Sequence, residues 1–181
     1  MLGKLIKHEL KSIGRILLPF YLILVALTSL TKLVSYIDIF DGILNFIPVT
    51  VNMAYIISLI ATLATIFFII ITRFYKNLLS DEGYLMFTLP VKASSLIASK
   101  FITSLISTLV GIAAISVSLI IAYYDYVIKF VNSMLDLIST EFGHLGNLLI
   151  AELIINLFVG IIYYILLVYL SMAIGQQFGK H

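Results

Sequence analysis

The sequence predicts an all-α integral membrane protein with four transmembrane helices. Of its 181 residues, 62% are hydrophobic and 11% are charged, and the mean hydropathy is +1.17. Soluble domains are about 45–50% apolar and about 25% charged, and a chain of this size cannot hide so much apolar surface from water. This composition excludes a disordered chain and argues strongly against a water-soluble globule. The apolar runs are continuous, whereas the strands of a membrane barrel alternate.

Four apolar runs are long enough to cross a bilayer, whose core of about 30 Å needs roughly 20 helical residues. We place the transmembrane helices near residues 16–34, 48–72, 101–124 and 150–172. Tyrosines near the ends of these runs, such as Tyr36 and Tyr124, support the placement because tyrosine prefers the headgroup level.

The basic residues predict the orientation. Nine of the eleven lysines and arginines lie at the termini or between spans two and three, and only Lys32 and Lys129 lie on the other side. Because short cytoplasmic loops carry the excess of Lys and Arg, both termini and the loop 73–100 are expected in the cytoplasm. We expect the whole chain, residues 1–181, to form a single transmembrane domain.

Two segments outside the spans have amphipathic helical spacing. In residues 1–15, apolar and basic positions recur on separate faces, which predicts an N-terminal elbow helix in the membrane surface. Alternatively, span one simply extends into water; Gly14 and Pro19 favour the separate helix. The outer loop 125–146 repeats the apolar stripe and predicts a short surface helix on the outer side.

The third span has a face of small residues, which allows close approach of helix backbones in lipid. These residues are Ser107, Gly111, Ala114, Ser118 and Ala122. Both packing within the chain and a subunit interface are open, and we favour packing within the chain.

Span four contains the one acidic residue near a span interior. Glu152, Asn156 and Gly160 follow at intervals of four and share a helical face. An ionisable residue inside a membrane is a functional candidate, so Glu152 and Asn156 are possible residues of a polar pathway. The simpler interpretation, which we favour, places Glu152 at the outer boundary of the span.

No pattern in the sequence predicts catalysis. Cysteine is absent, and the three histidines lie far apart and on different sides, so neither a thiolate nor a histidine metal site is expected. Neither a phosphate loop nor a G-x-S-x-G elbow occurs. The net charge of +2 is too small to indicate nucleic acid. We therefore expect neither enzymatic activity, nor a cofactor, nor a metal in this chain.

The loop 73–100 is the most informative segment. Ser80 can cap a helix whose first turn holds Asp81 and Glu82, and Pro90 ends that helix at Leu89. Large apolar side chains on this short helix suggest a docking surface for a partner protein. From composition alone, burial against lipid or under the helix bundle is equally compatible.

Three motifs of this loop resemble a known family. Asp-Glu-Gly-Tyr-Leu at 81–85, Leu-Pro-Val at 89–91 and Ser-Lys-Phe at 99–101 occur in the order found between spans two and three of bacterial ATP-binding-cassette permeases of the ABC-2 type. The basic N-terminal helix and the end at 173–180 are also similar to that family. The resemblance covers the chain, and residues 73–102 carry most of its weight.

The resemblance implies a permease subunit in the bacterial plasma membrane that couples ATP hydrolysis by a separate cytoplasmic subunit to translocation, with export as the expected direction. A second permease chain, identical or different, would complete the pathway. The segment around 81–89 would be the coupling helix. By position, the coupling residues would be Asp81, Glu82, Gly83, Tyr84, Leu85, Phe87, Leu89 and Pro90.

The chain departs from that family in its number of spans. Permeases of this type usually have six, and we expect this chain to be either truncated after the fourth or a naturally shortened relative. The alternatives are a non-transporting four-helix adaptor or scaffold, and a carrier or channel that works without an ATPase. Carriers place ionisable groups near the midplane, which is almost free of charge here.

Overall fold

The described part of the chain is almost entirely helical. The computed structural model describes residues 2–36, 46–75 and 93–178. Over these ranges it has five α-helices and one 3₁₀ turn, Gly143–Leu145, and no strand. The helices are α1 (Leu2–Ser35), α2 (Phe46–Phe74), α3 (Ala93–Ala122), α4 (Tyr124–Phe142) and α5 (Gly146–Phe178). The predicted all-α class is confirmed.

Four of these helices are long and apolar enough to cross a membrane. The candidate spans are Leu5–Ser35, Phe46–Phe74, Ser94–Ala122 and Gly146–Gly175, and they coincide with α1, α2, α3 and α5. Three of them contain a predicted span, and the third, Ser94–Ala122, covers the predicted span 101–124 except for its last two residues. Each exceeds the roughly 20 residues that a bilayer requires. The chain is therefore a multi-pass membrane protein by the length and composition of its helices.

The expected elbow helix does not form a separate element. Residues 2–35 make one uninterrupted helix that continues through Gly14 and Pro19. A proline inside a helix removes one backbone hydrogen bond and crowds the carbonyl four residues before it, at a cost of about 3 kcal/mol or more. The inward face continues across it: Ile13, Leu17 and Leu24 are each at most 3% exposed and follow at helical spacing. The prediction of a separate elbow helix is therefore wrong, and the alternative, in which span one extends beyond its apolar run, is correct.

The small face of the third span packs within the chain. Ser107, Ser118 and Ala122 are each at most 6% exposed, and Gly111 is also buried. The prediction of intramolecular packing is confirmed, because small side chains at these positions let neighbouring backbones approach closely.

The predicted surface helix in the loop 125–146 is present as α4. The helix has no buried residue, and apolar side chains such as Phe130 and Met134 are exposed. Gly143 ends it with φ 51°, in the left-handed region that favours glycine. Gly146 begins α5 so close to α4 that a Cβ there would lie 2.9 Å from Ile138 Cγ2.

The helices contribute to two compact units. The first unit comprises Met1–Pro19, Thr62–Gly111 and Gly160–His181, and the second comprises Phe20–Ala61 and Ile112–Val159. The second unit has an apolar centre of Leu24, Tyr55 and Ala122, with Leu27 and Leu59 among the side chains packed against it. Each unit also contains its own cluster of polar side chains, and the two clusters differ in composition.

Candidate functional site

The first unit contains a group of charged and hydroxyl side chains that we call the ionic cluster. Its members come from α1, α2, α3 and α5, and all lie within one to three turns of a helix end. The charged members are Glu9, Arg73 and Lys100, and the hydroxyl members are Ser12, Ser104 and Tyr169. Charges near the ends of spans are tolerated because their side chains can extend towards water.

Lys100 is the most deeply buried charge of the ionic cluster. Its side chain is 2% exposed, and its ammonium group donates a hydrogen bond to Glu9 Oε1. A buried ammonium without a partner would cost several kcal/mol, so the carboxylate of Glu9 is what makes this position acceptable for lysine. The pair joins the first turns of α1 to the beginning of α3.

Arg73 completes the charged part of the cluster from the end of α2. Its guanidinium donates a hydrogen bond to Ser12 Oγ, and its Nη1 atom lies 3.6 Å from Glu9 Oε2. Within the described residues that oxygen accepts no hydrogen bond, so its compensation is electrostatic. Glu9 is thus shared by two cations, one on each helix that borders the segment 76–92.

Tyr169 connects α5 to the same place. Its hydroxyl donates to the backbone carbonyl of Lys100 at 3.2 Å, so its oxygen accepts the proton of Ser104, 2.6 Å away. The ring of Tyr169 stacks on Phe74, with centroids 4.0 Å apart and planes 20° apart. Four helices therefore meet through specific contacts rather than through apolar packing alone.

The second unit contains a hydroxyl network without charge. The Thr28 hydroxyl donates its hydrogen bond to the backbone carbonyl of Leu24 at 2.6 Å. Because that hydroxyl has no second proton, Ser118 is the donor in the bond between Ser118 and Thr28, at 2.7 Å. Tyr55 must then donate to Ser118, at 2.8 Å. The result is one directional chain of hydrogen bonds that ends on a backbone carbonyl, and all three side chains are at most 5% exposed.

A second polar contact lies beside this network. Tyr123 donates to Asn52 Oδ1 at 3.0 Å, and its ring lies 5.9 Å from that of Tyr55. Burial, with a smaller contribution from Tyr55, raises the pKa of Tyr123 above its ordinary value of 10.0. The hydroxyl therefore remains protonated and available as a donor.

The two clusters consist of ion pairs and hydrogen-bonded hydroxyls. Among the described residues, no group of three or more histidine, aspartate or glutamate side chains is placed to hold a metal ion. The ionic cluster places two cations around one carboxylate. What the arrangement can do is hold the ends of α2 and α3 at a fixed separation against α1 and α5.

The predicted coupling residues, from Asp81 to Pro90, fall in the segment 76–92 and lie outside the described residues. The predicted pathway residues Glu152 and Asn156 lie on α5, and both are exposed. They share a face of α5, as predicted, and belong to the second unit, whereas the ionic cluster belongs to the first.

Sequence reasoning missed Glu9 as a structural partner of Lys100. The signal was present: Glu9 is the one acidic residue before Asp38, and Lys100 directly precedes a long apolar run. A lone carboxylate in a basic helix and a lone cation at the start of a span both need a partner. Helical periodicity does not say which helices are neighbours, so the pairing itself was not accessible.

Comparisons with protein-family models, with curated proteins and with solved structures give no match to this chain.

Proposed function

We propose that this chain is the membrane-spanning permease subunit of an ATP-driven transporter of the ABC-2 type. The observation that carries the proposal is the position of the ionic cluster. α2 ends at Phe74 and α3 begins at Ala93, and the cluster ties both of these ends to α1 and α5. A partner that pushes on the segment between them would move four helices through one set of contacts.

This arrangement suits the transmission of force better than a flexible loop end would. Salt bridges and hydrogen bonds that are mostly excluded from water have discrete arrangements, so a displacement at one member is passed on to the others. In the proposed mechanism, the cytoplasmic ATP-binding subunit contacts the 81–89 segment, and the ionic cluster passes its motion to the spans.

The exposed surface of α5 offers room for a second permease chain. All residues from 151 to 160 are exposed, including large apolar side chains such as Leu153 and Leu157. Since these apolar side chains are largely uncovered in the described fold, lipid or another chain covers them in a membrane. Under the proposal, Glu152 and Asn156 would face the pathway between two such chains.

The alternative of a non-transporting adaptor or scaffold is the second candidate. The hydroxyl network favours it over an ATPase-independent carrier. The polar side chains buried in the described part of the second unit are the uncharged groups of threonine, serine and tyrosine. Carriers that work without an ATPase place ionisable groups near the membrane midplane.

Co-purification of the full chain from native membranes tests the proposal. We expect a nucleotide-binding subunit to be recovered with the wild-type chain and to be lost when Tyr84→Asp is combined with Phe87→Asp. The matched control combines Phe130→Asp with Phe142→Asp on α4, where both aromatic side chains are exposed, and this variant should retain the subunit. The proposal fails if the wild-type chain brings down no such subunit, or if both double variants recover it equally.

The predicted orientation has its own test. A membrane-impermeant label should react from outside with a cysteine introduced at Ser133, which is exposed on α4. Since the chain has no native cysteine, the background is zero. If the label reacts only after the cells are opened, the orientation is opposite to the predicted one, and the segment 76–92 does not lie in the cytoplasm.

A further inference from the structure

A cavity in the second unit lies where three span ends meet. Its volume is about 400 Å³, within the range of roughly 300–1,000 Å³ that is typical of small-molecule sites. The wall is formed by the end of α1 (residues 31–36), the beginning of α2 (residues 48–52) and the junction of α3 with α4 (residues 122–126). Each of these stretches lies at or next to the end of a candidate membrane span, and the ends of membrane spans lie near the headgroups.

The lining carries both signs of charge. Lys32 and Asp125 contribute to the same wall, and among the described residues neither forms an ion pair within 4.0 Å. The Lys32 ammonium lies 5.2 Å from the centre of the Tyr36 ring, which orients it by a cation–π contact. Two opposite charges that share a cavity without neutralising each other are available to a ligand that carries both charges.

Further polar groups line the same cavity. Tyr126 and Asn52 supply further hydrogen-bonding groups, and α2 begins at this wall, so the positive end of its dipole adds to the charge of Lys32. The tyrosine rings supply aromatic faces on which an ammonium group can lie. Tyrosine is also the side chain that suits the boundary between apolar tails and headgroups.

We propose that this cavity binds the headgroup of a zwitterionic phospholipid of the phosphoethanolamine type, with the phosphate at Lys32 and the amine at Asp125. The acyl chains would leave along the exposed apolar surface of the neighbouring spans. By the predicted orientation this is a lipid of the outer leaflet. The proposal is independent of any ATPase and holds equally if the chain is an adaptor.

Native mass spectrometry of the full chain in detergent, titrated with phosphatidylethanolamine, tests the proposal. We expect the wild-type chain to retain one lipid and Lys32→Met to weaken the affinity about tenfold or more, as expected for the loss of a charge-assisted hydrogen bond. The matched control is Lys129→Met, the same change of charge at an exposed position of α4 that does not line the cavity. This control should bind as the wild type does.

The acidic side of the site has a separate measurement. Asp125→Asn should weaken phosphatidylethanolamine while leaving phosphatidylglycerol, which has no amine, unchanged or tighter. Near-ultraviolet circular dichroism of the tyrosines checks that each variant is folded. Water-soluble glycerophosphoethanolamine is the competitor that separates a lipid from a soluble compound with the same headgroup.

Three results would overturn the proposal. No lipid on the wild-type chain would mean that the cavity is covered by the chain itself. Equal losses in Lys32→Met and Lys129→Met would reduce binding to general attraction of charge. Displacement of the lipid by glycerophosphoethanolamine at equal concentration would assign the site to a soluble ligand instead.

Discussion

The two units differ in the polar side chains that they bury. The ionic cluster of the first unit uses full charges, and one of its members, Arg73, is still 23% exposed at its side chain. The hydroxyl network of the second unit uses neutral groups that are nearly inaccessible. The first unit thus combines full charges with buried hydroxyls, whereas the buried polar side chains described in the second unit are all neutral.

The difference matters for stability because removing one partner has a different energetic cost in the two kinds of contact. Removing one member of a buried ion pair leaves a charge without compensation. Removing one hydroxyl leaves a neutral group that costs far less to bury. The ionic cluster is therefore the more sensitive region, although it contains the more exposed side chains.

The largest effect is expected for Glu9→Leu. It leaves Lys100 buried without its carboxylate, and we expect the free energy of unfolding to fall by about 3–5 kcal/mol. Unfolding in mixed micelles with added SDS, followed by near-ultraviolet circular dichroism, measures the change.

The matched variant for this prediction combines Glu9→Leu with Lys100→Met. Replacing both partners by apolar groups of similar size is often nearly neutral, so most of the lost stability should return. If the double variant is as unstable as the sum of the two single variants, the two side chains do not interact and the ionic cluster is wrongly described.

A smaller loss is expected for Ser118→Ala in the hydroxyl network. The substitution leaves the Tyr55 hydroxyl without its acceptor, while Thr28 keeps its bond to the carbonyl of Leu24. We expect a loss of about 1–2 kcal/mol in the same unfolding measurement, the cost of one buried unsatisfied group. Adding Tyr55→Phe should then cost nothing further, since the orphaned hydroxyl is removed; an additional loss would contradict the direction of the hydrogen-bond chain.

The smallest effect is expected for Tyr123→Phe, which loses the bond to Asn52. Because Tyr123 is half-buried, we expect a loss of about 0.5–1 kcal/mol. The raised pKa gives the substitution a second signature. A folded-state pKa above 10.0 means that stability is complete below pH 10 and declines as pH rises further, and this part of the decline should vanish in Tyr123→Phe. An unchanged alkaline profile would show that Tyr123 is not the group responsible.

The spans could be predicted because they depend on one property that the sequence states directly. A continuous run of apolar residues has few alternatives in a bilayer, so α2, α3 and α5 were found from composition alone. The buried face of α3 was also predictable, because small residues at helical spacing, such as Ser107 and Ser118, favour close packing.

The contacts that distinguish the two units could not be predicted. Glu9 and Lys100 are 91 residues apart, and Thr28 and Ser118 are 90 apart. Periodicity tells which face of a helix turns inward, but it does not tell which helix lies opposite. The continuity of α1 was missed because Gly14 and Pro19 were taken to favour a separate N-terminal helix, whereas residues 2–35 form one helix.

The uninterrupted α1 makes bilayer thickness a variable that this protein can respond to. At 1.5 Å per residue, its 34 residues extend about 51 Å, well beyond a hydrocarbon core of about 30 Å. Its basic residues, among them Lys7, Lys11 and Arg15, precede the apolar part within the same helix. A helix that exceeds the hydrocarbon core is accommodated by tilting or kinking, so membrane thickness acts directly on α1.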